Sequence, residues 1–408
     1  MREFAGRRVL MLLENQPYPQ DGRVRRESFT LAAAGYQVTV ICPRNGKQPR
    51  HETVNGVRVI RYPAPPAGGG LLGYLFEYGY STAITFILSI WVALRGGFDI
   101  IHSHNPPDTM FVIGAFFKLF GKRYVFDHHD LSPEMYNARF NGKGNPIVFK
   151  VLEVLERLSC RVADRVIATN QSYREMEMRR DKVRPEKITI VRNGPELGRV
   201  KRVAPDPELR QKAPTIIGYV GIMGYQDGVD YLLRALQHLL YELKRSDFFM
   251  VLVGTGDAWD DLRALSTKLG LDEHVWFTGT VSDEELRRYL STADICVDPD
   301  PSNPFNDRST MIKITEFMAL EKPIVAFDLP ENRFTAQHGA LFVTPNDERA
   351  FASALVELMD DPERRAKMGA YGRRRIEDEL AWQHCSPKLL EVYASLQPDY
   401  QTAVVSPS

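Results

Sequence analysis

The sequence predicts an α/β protein in which two doubly wound parallel sheets form separate domains. Short apolar runs rich in Val and Ile alternate with helical patterns, as strands do when helices connect parallel neighbours. This alternation begins a second time after residue 214. With 408 residues, the chain is also long enough for about two domains, each with its own core.

The two series of predicted strands set the domain boundaries. The first series occupies residues 9–13, 37–42, 57–62, 100–103, 124–127, 166–169 and 188–192, and the second occupies 216–221, 250–254, 275–279, 295–297, 324–327 and 341–343. Residues 197–214 contain three prolines and mixed charge, which is typical of a linker. We therefore expect a first domain over residues 1–197, a linker over 198–214, a second domain over 215–380, and over 381–408 a helix that crosses back toward the first domain, followed by a tail. Ligands are expected in a cleft between the domains.

Composition excludes several classes of protein. Lys plus Arg equals Asp plus Glu at 52 each, so bulk charge gives no indication of nucleic acid as a partner. The four cysteines form no CxxC pair, which argues against a disulfide framework or a zinc site and favours a reducing, cytoplasmic compartment. The N-terminal residues lead directly into strand-like sequence, so we interpret them as the first strand and not as a signal peptide.

One segment has a membrane-like composition. Residues 78–94 form a run of 17 residues without a charge, within the apolar segment 71–94. A spanning helix generally needs about 20 apolar residues, and several Ser and Thr residues dilute this run. A buried crossover helix between two strands of the first sheet is therefore the favoured interpretation. Residues 68–76 are a second candidate, for contact with a membrane surface.

The segment between residues 295 and 327 carries the strongest candidate site. A short strand over 295–297, a polar loop over 300–307 and a helix over 309–320 precede another strand. The start of that helix favours an anion, and Arg308 and Lys313 add positive charge, so a diphosphate is expected there. One turn further, Glu316 is suited to accept hydrogen bonds from vicinal hydroxyls of a sugar. Candidate ligand-binding residues at the helix start are Ser309, Thr310, Met311 and Ile312. A crossover helix with a solvated charged face is the alternative.

Substitution of either cation tests this assignment. We expect Lys313→Ala and Arg308→Ala to lower turnover strongly with little unfolding, because both side chains are assigned to a ligand and not to the core.

Glycine-rich turns in the second domain add further candidates. Gly221 and Gly224, with Met223 between them, lie in a turn between a strand and a helix, where glycine lets the backbone approach a ligand closely. Gly254 lies in a similar turn. Thr280 and Val281 precede a helix that a Ser282–Glu285 capping box begins, and their backbone is placed to contact a nucleobase. Plain tight turns would use the same glycines.

Two loops of the first domain open at the carboxyl edge of its sheet, where reactive residues of such folds collect. Their candidates are His104 and Asn105 in one loop and His129 and Asp130 in the other. Each cluster of metal-type residues lies within one loop and lacks the helical spacing of H-E-x-x-H, so no metal is expected. A histidine beside a carboxylate can instead donate to a substrate hydroxyl, although packing of the loop is an equal alternative for each histidine.

The first loop of the chain supplies Asp21, Gly22 and Arg23, and two further arginines follow in the same helix. The loop lacks G-x-G-x-x-G, which argues against a dinucleotide and against oxidoreduction. Because a helix start disfavours cations, the arginines indicate an anionic ligand or an acidic partner across the cleft. A capped helix with a solvated basic turn is the alternative.

Taken together, these segments resemble glycosyltransferase family 4 of the GT-B fold, which has two Rossmann-like domains, and more narrowly its WbuB-like bacterial members. The resemblance extends from Asp21-Gly22-Arg23 through His129-Asp130 to Lys313, Glu316 and residues 322–327. It implies a retaining transferase of hexosyl or N-acetylhexosaminyl groups that needs no metal or other cofactor. A nucleotide sugar, most commonly a UDP-sugar, would bind the second domain. A glycan or lipid-linked acceptor of cell-surface polysaccharide synthesis would bind the first, at the inner face of the membrane.

The resemblance also assigns roles and exposes two departures. It implies that Glu316 holds the donor ribose, that residues 221–224 border the diphosphate, and that His129 contacts the transferred sugar. Arg308 stands where the family has the first of two carboxylates eight residues apart, and Met223 and Asp227 stand where it commonly has Arg and Lys. Arg308, Lys313 and the helix start are the expected substitutes for the missing phosphate contacts.

No carboxylate pair in the sequence identifies itself for a double displacement, so a front-face route is expected, in which the leaving diphosphate takes the proton of the acceptor. Two rival functions remain: a nucleotide-sugar epimerase of the same fold, and a non-catalytic protein that binds sugars or nucleotides.

Overall fold

Two largely parallel sheets, one in each of two units, organise the chain in the computed structural model, which describes residues 7–65, 70–140 and 142–397. The first unit comprises residues up to 135, residues 145–192 and residues from 385 onward, and the second comprises 136–144 and 193–384. The predicted fold class, α/β with two doubly wound parallel sheets, is confirmed. Residues 68 and 69 of the predicted membrane-contact segment and the tail beyond residue 397 lie outside the described residues.

The sheet of the first unit has the strand order β3-β4-β2-β1-β5-β6-β7-β8. Its strands are β1 Arg8–Leu12, β2 Gln37–Arg44, β3 His51–Val54, β4 Val57–Pro63, β5 Ile100–His104, β6 Arg123–His128, β7 Arg165–Ala168 and β8 Ile188–Ile190. Neighbours are parallel except β3 and β4, which form an antiparallel hairpin. The sequence analysis missed β3, because this edge strand is exposed and polar and has no apolar run.

The sheet of the second unit has the strand order β11-β10-β9-β12-β13-β14, and all its neighbours are parallel. Its strands are β9 Thr215–Val220, β10 Phe248–Val253, β11 Val275–Gly279, β12 Ile295–Asp298, β13 Ile324–Phe327 and β14 Ala340–Val343. Successive strand residues belong to different apolar clusters: Ile217 packs in one cluster, and Ile216 packs in the other. Each face of the sheet therefore has its own core under covering helices, as in doubly wound folds.

Helices connect the strands. In the first unit they are α1 Gly22–Ala33, α2 Gly70–Arg95, α3 Phe111–Lys118, α5 Pro146–Val162 and α6 Gln171–Arg179, and α4 Ser132–Arg139 extends from the first unit into the second. The following helices are α7 Pro207–Arg210, α8 Val229–Gln237, α9 Trp259–Lys268, α10 Asp283–Thr292, α11 Ile312–Ala319, α12 Pro330–Ala336, α13 Glu348–Asp360, α14 Pro362–Arg375 and α15 Trp382–Ala394. At the end of α15, the Tyr393 hydroxyl lies 2.8 Å from His102 Nδ1 within the first unit.

The expectation that residues 78–94 form a buried crossover helix is half wrong. Helix α2 does connect β4 to β5, which lie in the same sheet. However, only 22% of its most apolar 18-residue window is buried, and residues Leu75–Arg95 are long and apolar enough to cross a membrane by length and composition. The reason is that α2 turns its small polar residues inward. Ser81, Thr85 and Ser89 are fully buried.

Gly254, which follows β10, provides a test of the packing between two strand ends. Its φ of +126° is strained for other residues, and a Cβ there would overlap the carbonyl oxygen of Gly221. We expect Gly254→Ala to lower the free energy of unfolding by more than about 2 kcal/mol, as measured by chemical denaturation. The matched control is Gly46→Ala, at φ +52° with no atom within 4 Å of the new Cβ, which should cost only about 1 kcal/mol. Equal losses for the two variants would contradict this packing.

Candidate functional site

In the first unit, a buried carboxylate lies at the centre of the polar residues. His104 and Asp127 are register partners at the ends of β5 and β6, and His104 Nδ1 lies 2.9 Å from Asp127 Oδ2. Helix α1 brings Arg23 to the same carboxylate, with its Nε 2.6 Å from Oδ2 and its Nη2 2.7 Å from Oδ1. All three side chains are buried. Asp127 thus accepts a two-pronged guanidinium contact and a histidine hydrogen bond.

These contacts fix the protonation of the cluster. Burial alone would raise the pKa of Asp127, but the Arg23 guanidinium and the hydrogen bond from His104 hold that pKa well below its usual range. Burial lowers the pKa of His104, although Asp127 opposes this effect. A neutral His104 therefore donates its Nδ1–H to Asp127. Its Nε2 is buried and has no hydrogen-bond partner among the described residues, although in this tautomer it is an acceptor.

Asn105 connects the two loops that the sequence analysis singled out. Its Oδ1 accepts hydrogen bonds from the backbone N–H groups of His129 and Asp130, at 2.9 and 3.2 Å, and its Nδ2 donates to the Asp130 carbonyl oxygen at 2.6 Å. His129 Nδ1 lies 3.8 Å from Asp127 Oδ2. Burial raises the pKa of Asp130. The predicted residues His104, Asn105, His129 and Asp130 therefore lie together at one edge of the sheet.

The arginine cluster after the first strand has a different role from the one expected. Asp21 caps α1, since its side chain accepts a hydrogen bond from the Val24 N–H, and Gly22 is the first helical residue. Arg23 is buried, paired with Asp127, and donates to the Val191 carbonyl oxygen at 3.1 Å. The inference of an anionic ligand is therefore wrong for Arg23, because a carboxylate of the same unit compensates its charge.

The expectation that each cluster of metal-type residues lies within one loop is also wrong. Glu27 from α1, His102 and His104 from β5 and Asp127 from β6 are buried and place ligand atoms within 4.8 Å of one another. However, Arg23 Nη2 lies 3.3 Å from Glu27 Oε1, so a metal ion would adjoin a guanidinium charge. Burial and the nearby Asp127 raise the pKa of Glu27 well above its usual value. We therefore interpret this cluster as a network that shares protons.

In the second unit, the glycine-rich turn after β9 is closed by its own hydrogen bonds. The Gly221 N–H donates to the Val253 carbonyl oxygen at 3.1 Å, and the Gly224 N–H donates to Asp227 Oδ2 at 2.8 Å. The Met223 side chain is fully buried in the core, and its N–H donates to Thr255. The turn can border a ligand, but these three N–H groups already have acceptors within the unit.

Helix α11 begins three residues later than predicted. Ile312 is its first residue, and Met311 precedes it in an extended conformation without a side-chain cap. Ser309 and Thr310 therefore lie before the helix, where Ser309 Oγ donates to the Phe305 carbonyl oxygen at 3.0 Å. The sequence pattern could not distinguish this polar turn from a first helical turn. The first backbone N–H groups of the helix are those of Ile312 and Lys313, since the Ile314 N–H already donates to the Met311 carbonyl oxygen at 3.2 Å.

Lys313 is already paired with carboxylates. Its Nζ forms an ion pair with Asp300, lies 3.2 Å from Asp298 Oδ1, and stands 5.0 Å from the centre of the Tyr219 ring. Burial opposes the charged form, but Asp300 and Asp298 outweigh it and hold the pKa of Lys313 well above its usual range. A phosphate would have to share this lysine with two aspartates. The expectation that Lys313 can be removed with little unfolding is therefore overturned, because its removal leaves buried carboxylates without a partner.

The remaining candidates lie around the same edge of the second sheet. The Gly254 N–H donates to the Gly279 carbonyl oxygen at 3.1 Å, and Thr280 and Val281 follow directly. The predicted capping box of Ser282 with Glu285 is confirmed. Arg308 donates to the Pro304 carbonyl oxygen, and Glu316 is a half-buried residue of α11.

Sequence reasoning missed the acidic residues that hold the cationic ones. They are Glu27 and Asp127 in the first unit and Asp227, Asp298 and Asp300 in the second. Asp127 and Asp298 stand at or next to the carboxyl ends of buried strands, which is a signal that could have identified them. Their partners could not be identified in this way, because Arg23 lies 104 residues from Asp127, and Lys313 reaches Asp298 from the next helix, at a spacing that no local pattern reports.

Comparison with known families assigns this arrangement to a class of enzyme. Residues 23–194 match the glycosyl transferase 4-like domain, and residues 214–361 match glycosyl transferases group 1. Together the two matches span most of the chain. The chain belongs to the GT-B glycosyltransferases of the family 4 type.

Individual relatives agree with this assignment. D-inositol 3-phosphate glycosyltransferase of Kineococcus radiotolerans is 27% identical over 398 residues, which covers 89% of this chain and 87% of the relative. Sucrose-phosphate synthase from Thermosynechococcus elongatus has the same fold, with a TM-score of 0.76, 21% identity and coverage of 96% and 99% of the two chains. Anabaena HepE, solved in complex with UDP-glucose, has a TM-score of 0.72, 19% identity and coverage of 95% and 100%.

Lys313→Met tests the buried carboxylate pairing. We expect it to lower the free energy of unfolding by about 3–5 kcal/mol near neutral pH, because Asp298 and Asp300 lose their cation. The pKa of Asp300 in the folded state is already raised, mainly by burial and next by the charge of Asp298. Ionisation of Asp300 therefore destabilises the fold as the pH rises above the ordinary pKa of an aspartate. Without Lys313 this pKa rises further. The loss should therefore shrink as the pH is lowered from neutral toward the ordinary pKa of an aspartate, as measured by denaturation at each pH.

The matched control is Lys322→Met. Lys322 is also buried, but its Nζ donates to the carbonyl oxygens of Ser291 and Ala293, at 2.7 Å each. Its loss should not depend on pH over this range. A loss for Lys313→Met that is small, or constant with pH, would show that Lys313 does not compensate these carboxylates.

Proposed function

We propose that this enzyme transfers a hexosyl or N-acetylhexosaminyl group from a nucleotide sugar, most favourably a UDP-sugar, to a glycan or lipid-linked acceptor. The observation that carries the donor assignment is the ion pair between the start of α11 and the end of β12. Lys313 on α11 pairs with Asp298 on β12, and Lys313 Nζ lies 5.0 Å from the centre of the Tyr219 ring on β9. A helix start is thus held at the carboxyl ends of two parallel strands, where open α/β sheets bind ligands.

The donor is proposed to bind the second unit. Its diphosphate would lie against the first N–H groups of α11, bordered by the turn at residues 221–224, with Arg308 and a shared Lys313 as the cationic groups. Glu316 would hold the ribose, and the backbone of Thr280 and Val281 would contact the base. The structural similarity to HepE, which was solved with UDP-glucose, supports UDP as the carrier.

The acceptor and the transferred sugar are proposed to meet the first unit at His104, Asn105, His129 and Asp130. A neutral His104, whose Nδ1–H is directed to Asp127, would accept from a hydroxyl group at Nε2, which is buried and without a partner among the described residues. His129 would contact the transferred sugar. In the proposed retaining, front-face route, the leaving diphosphate oxygen takes the proton of the acceptor, while the protein supplies placement and electrostatic stabilisation. No metal or other cofactor is part of this proposal.

The biological setting is proposed by resemblance. The chain is similar to WbuB-like enzymes of bacterial surface polysaccharide synthesis, which favours a cytoplasmic location at the inner face of the membrane.

Release of nucleotide diphosphate tests the proposal. With UDP-glucose or UDP-N-acetylglucosamine as donor and a panel of glycan and lipid-linked acceptors, release should depend on the acceptor. His129→Ala should lower that release by about hundredfold or more, while donor binding, measured by thermal shift, is retained. The control is His238→Ala, which removes a surface histidine paired with Glu242 and should leave turnover unchanged.

The same assay separates the rival functions. An epimerised sugar formed without an acceptor would identify an epimerase. Donor binding without turnover across the whole panel would identify a binding protein. Either result would refute the proposed transfer.

A further inference from the structure

Three neighbouring helices of the first unit, α2, α3 and α5, present apolar residues to the outside. The Phe86 ring of α2 lies 5.0 Å from the Phe116 ring of α3. At the other side of α3, Lys118 Nζ donates to the Val162 carbonyl oxygen at the end of α5, at 2.7 Å. The three helices therefore form one continuous surface. We call this surface the outer helical face. It consists of the outward residues of α2, α3 and α5 and of Leu119 and Phe120, the two residues after α3.

Helix α5 is amphipathic, but it buries polar residues and exposes apolar ones, which is the reverse of the arrangement usual for a protein in water. Its buried residues include Glu156 and Ser159, and Glu156 pairs with Arg180. Its exposed apolar residues are spaced four, three and four positions apart, which places them along one side of the helix. They are Ile147, Val151, Val154 and Leu158. A helix that faced only water would carry its charged residues on this side.

Helix α2 has the same inversion. Its inward side carries Ser81, Thr85 and Ser89, all fully buried, and Ser81 Oγ donates to Glu14 Oε1 at 3.1 Å. Its exposed apolar residues are Leu75, Phe76, Ile87 and Leu94. Two adjacent helices therefore place polar atoms inside the unit and hydrocarbon outside. The two residues after α3 extend this surface, since Leu119 is 82% exposed and Phe120 is 63% exposed.

The charged residues of the outer helical face indicate which kind of partner it binds. Residues 70–95, 111–123 and 146–162 contain seven Lys or Arg and three Asp or Glu, in a chain of zero net charge, and two of the seven cations, Lys118 and Arg123, pair with Asp164. Glu156, one of the three acidic residues, is buried. At the end of α2, the Arg95 guanidinium lies 4.7 Å from the centre of the Trp91 ring, and both residue types are common where proteins meet lipid headgroups. An apolar surface with basic residues matches an anionic bilayer surface, which offers hydrocarbon beneath negative headgroups.

We propose that the outer helical face docks the enzyme on the surface of an anionic lipid bilayer. Helix α2 lies along this surface and does not cross it, because it joins β4 and β5 of one sheet, and both strands must stay in that sheet. The apolar side chains enter the headgroup boundary, and exposed basic residues such as Arg95 meet lipid phosphates. This docking is a property of the first unit and does not depend on which sugar is transferred.

Vesicle binding of the full chain tests the docking surface. The probes are vesicles of phosphatidylglycerol mixed with phosphatidylcholine, and vesicles of phosphatidylcholine alone, separated from free protein by sedimentation. The wild-type chain should partition to the anionic vesicles. Leu119→Glu and Val154→Glu should each lower the partition coefficient by about tenfold. Each substitution removes an apolar side chain that would be buried in the bilayer surface, and each adds a negative charge.

The matched control is Leu243→Glu. Leu243 belongs to the second unit and is 43% exposed, as Val154 is, and the substitution changes the net charge equally. It should bind vesicles as the wild type does. Since the substituted residues are exposed in the protein, all variants should unfold at the wild-type temperature. They should also keep the thermal shift with UDP-glucose. This second measurement separates a failure of docking from a failure of the proposed function.

Three results would overturn the proposal. They are a wild-type chain that does not bind anionic vesicles, face variants that bind as tightly as Leu243→Glu, and a dimer in analytical ultracentrifugation that Leu119→Glu abolishes without any lipid binding. The last result would assign the outer helical face to a second copy of the chain.

Discussion

The pairing of buried cations with buried carboxylates controls both candidate sites. In the first unit, Arg23 and His104 meet on Asp127, and in the second, Lys313 meets Asp298 and Asp300. An unpaired charge at such positions would carry a large desolvation cost, so these partners come from different strands and helices and tie them together. The same pairs decide which side chains are left for a ligand: among the described residues the buried Nε2 of His104 has no partner, whereas Lys313 must be shared.

The charge pairing also explains why helix positions alone are a poor guide to phosphate binding here. A lysine in the first turn of a helix after a parallel strand indicates an anion site. In this chain, Asp300 and Asp298 already neutralise that lysine, and Asp227 adds a third acidic group whose pKa burial raises. A diphosphate arriving at this edge would therefore displace one negative group with another. Its binding should be coupled to protonation of the carboxylates it approaches.

Much of the fold could be predicted from sequence, and the reason is visible in particular elements. The strands of both sheets are short apolar runs, so their order along the chain and the fold class were recoverable, whereas the polar edge strand β3 was not. The candidate residues His104, Asn105, His129 and Asp130 were expected near one another, and lie so, because carboxyl ends of parallel strands meet at one edge. The roles of Arg23 and Lys313 were mistaken, because their partners lie 104 residues and 13 residues away, and neither periodicity nor spacing reports such pairs. The inward polar side of α2 was missed for the same reason: Ser81 and Glu14 meet only in the folded unit.

The central claim is that the donor diphosphate shares Lys313 with the aspartates that hold it. Calorimetric titration with UDP-glucose in buffers of different ionisation enthalpy measures this most directly, because the diphosphate diester of the sugar nucleotide does not itself titrate near neutral pH. The account predicts that binding takes up protons near neutral pH and that Asp300→Asn diminishes this uptake. Binding whose heat is the same in every buffer, or no binding of any sugar nucleotide, would contradict it.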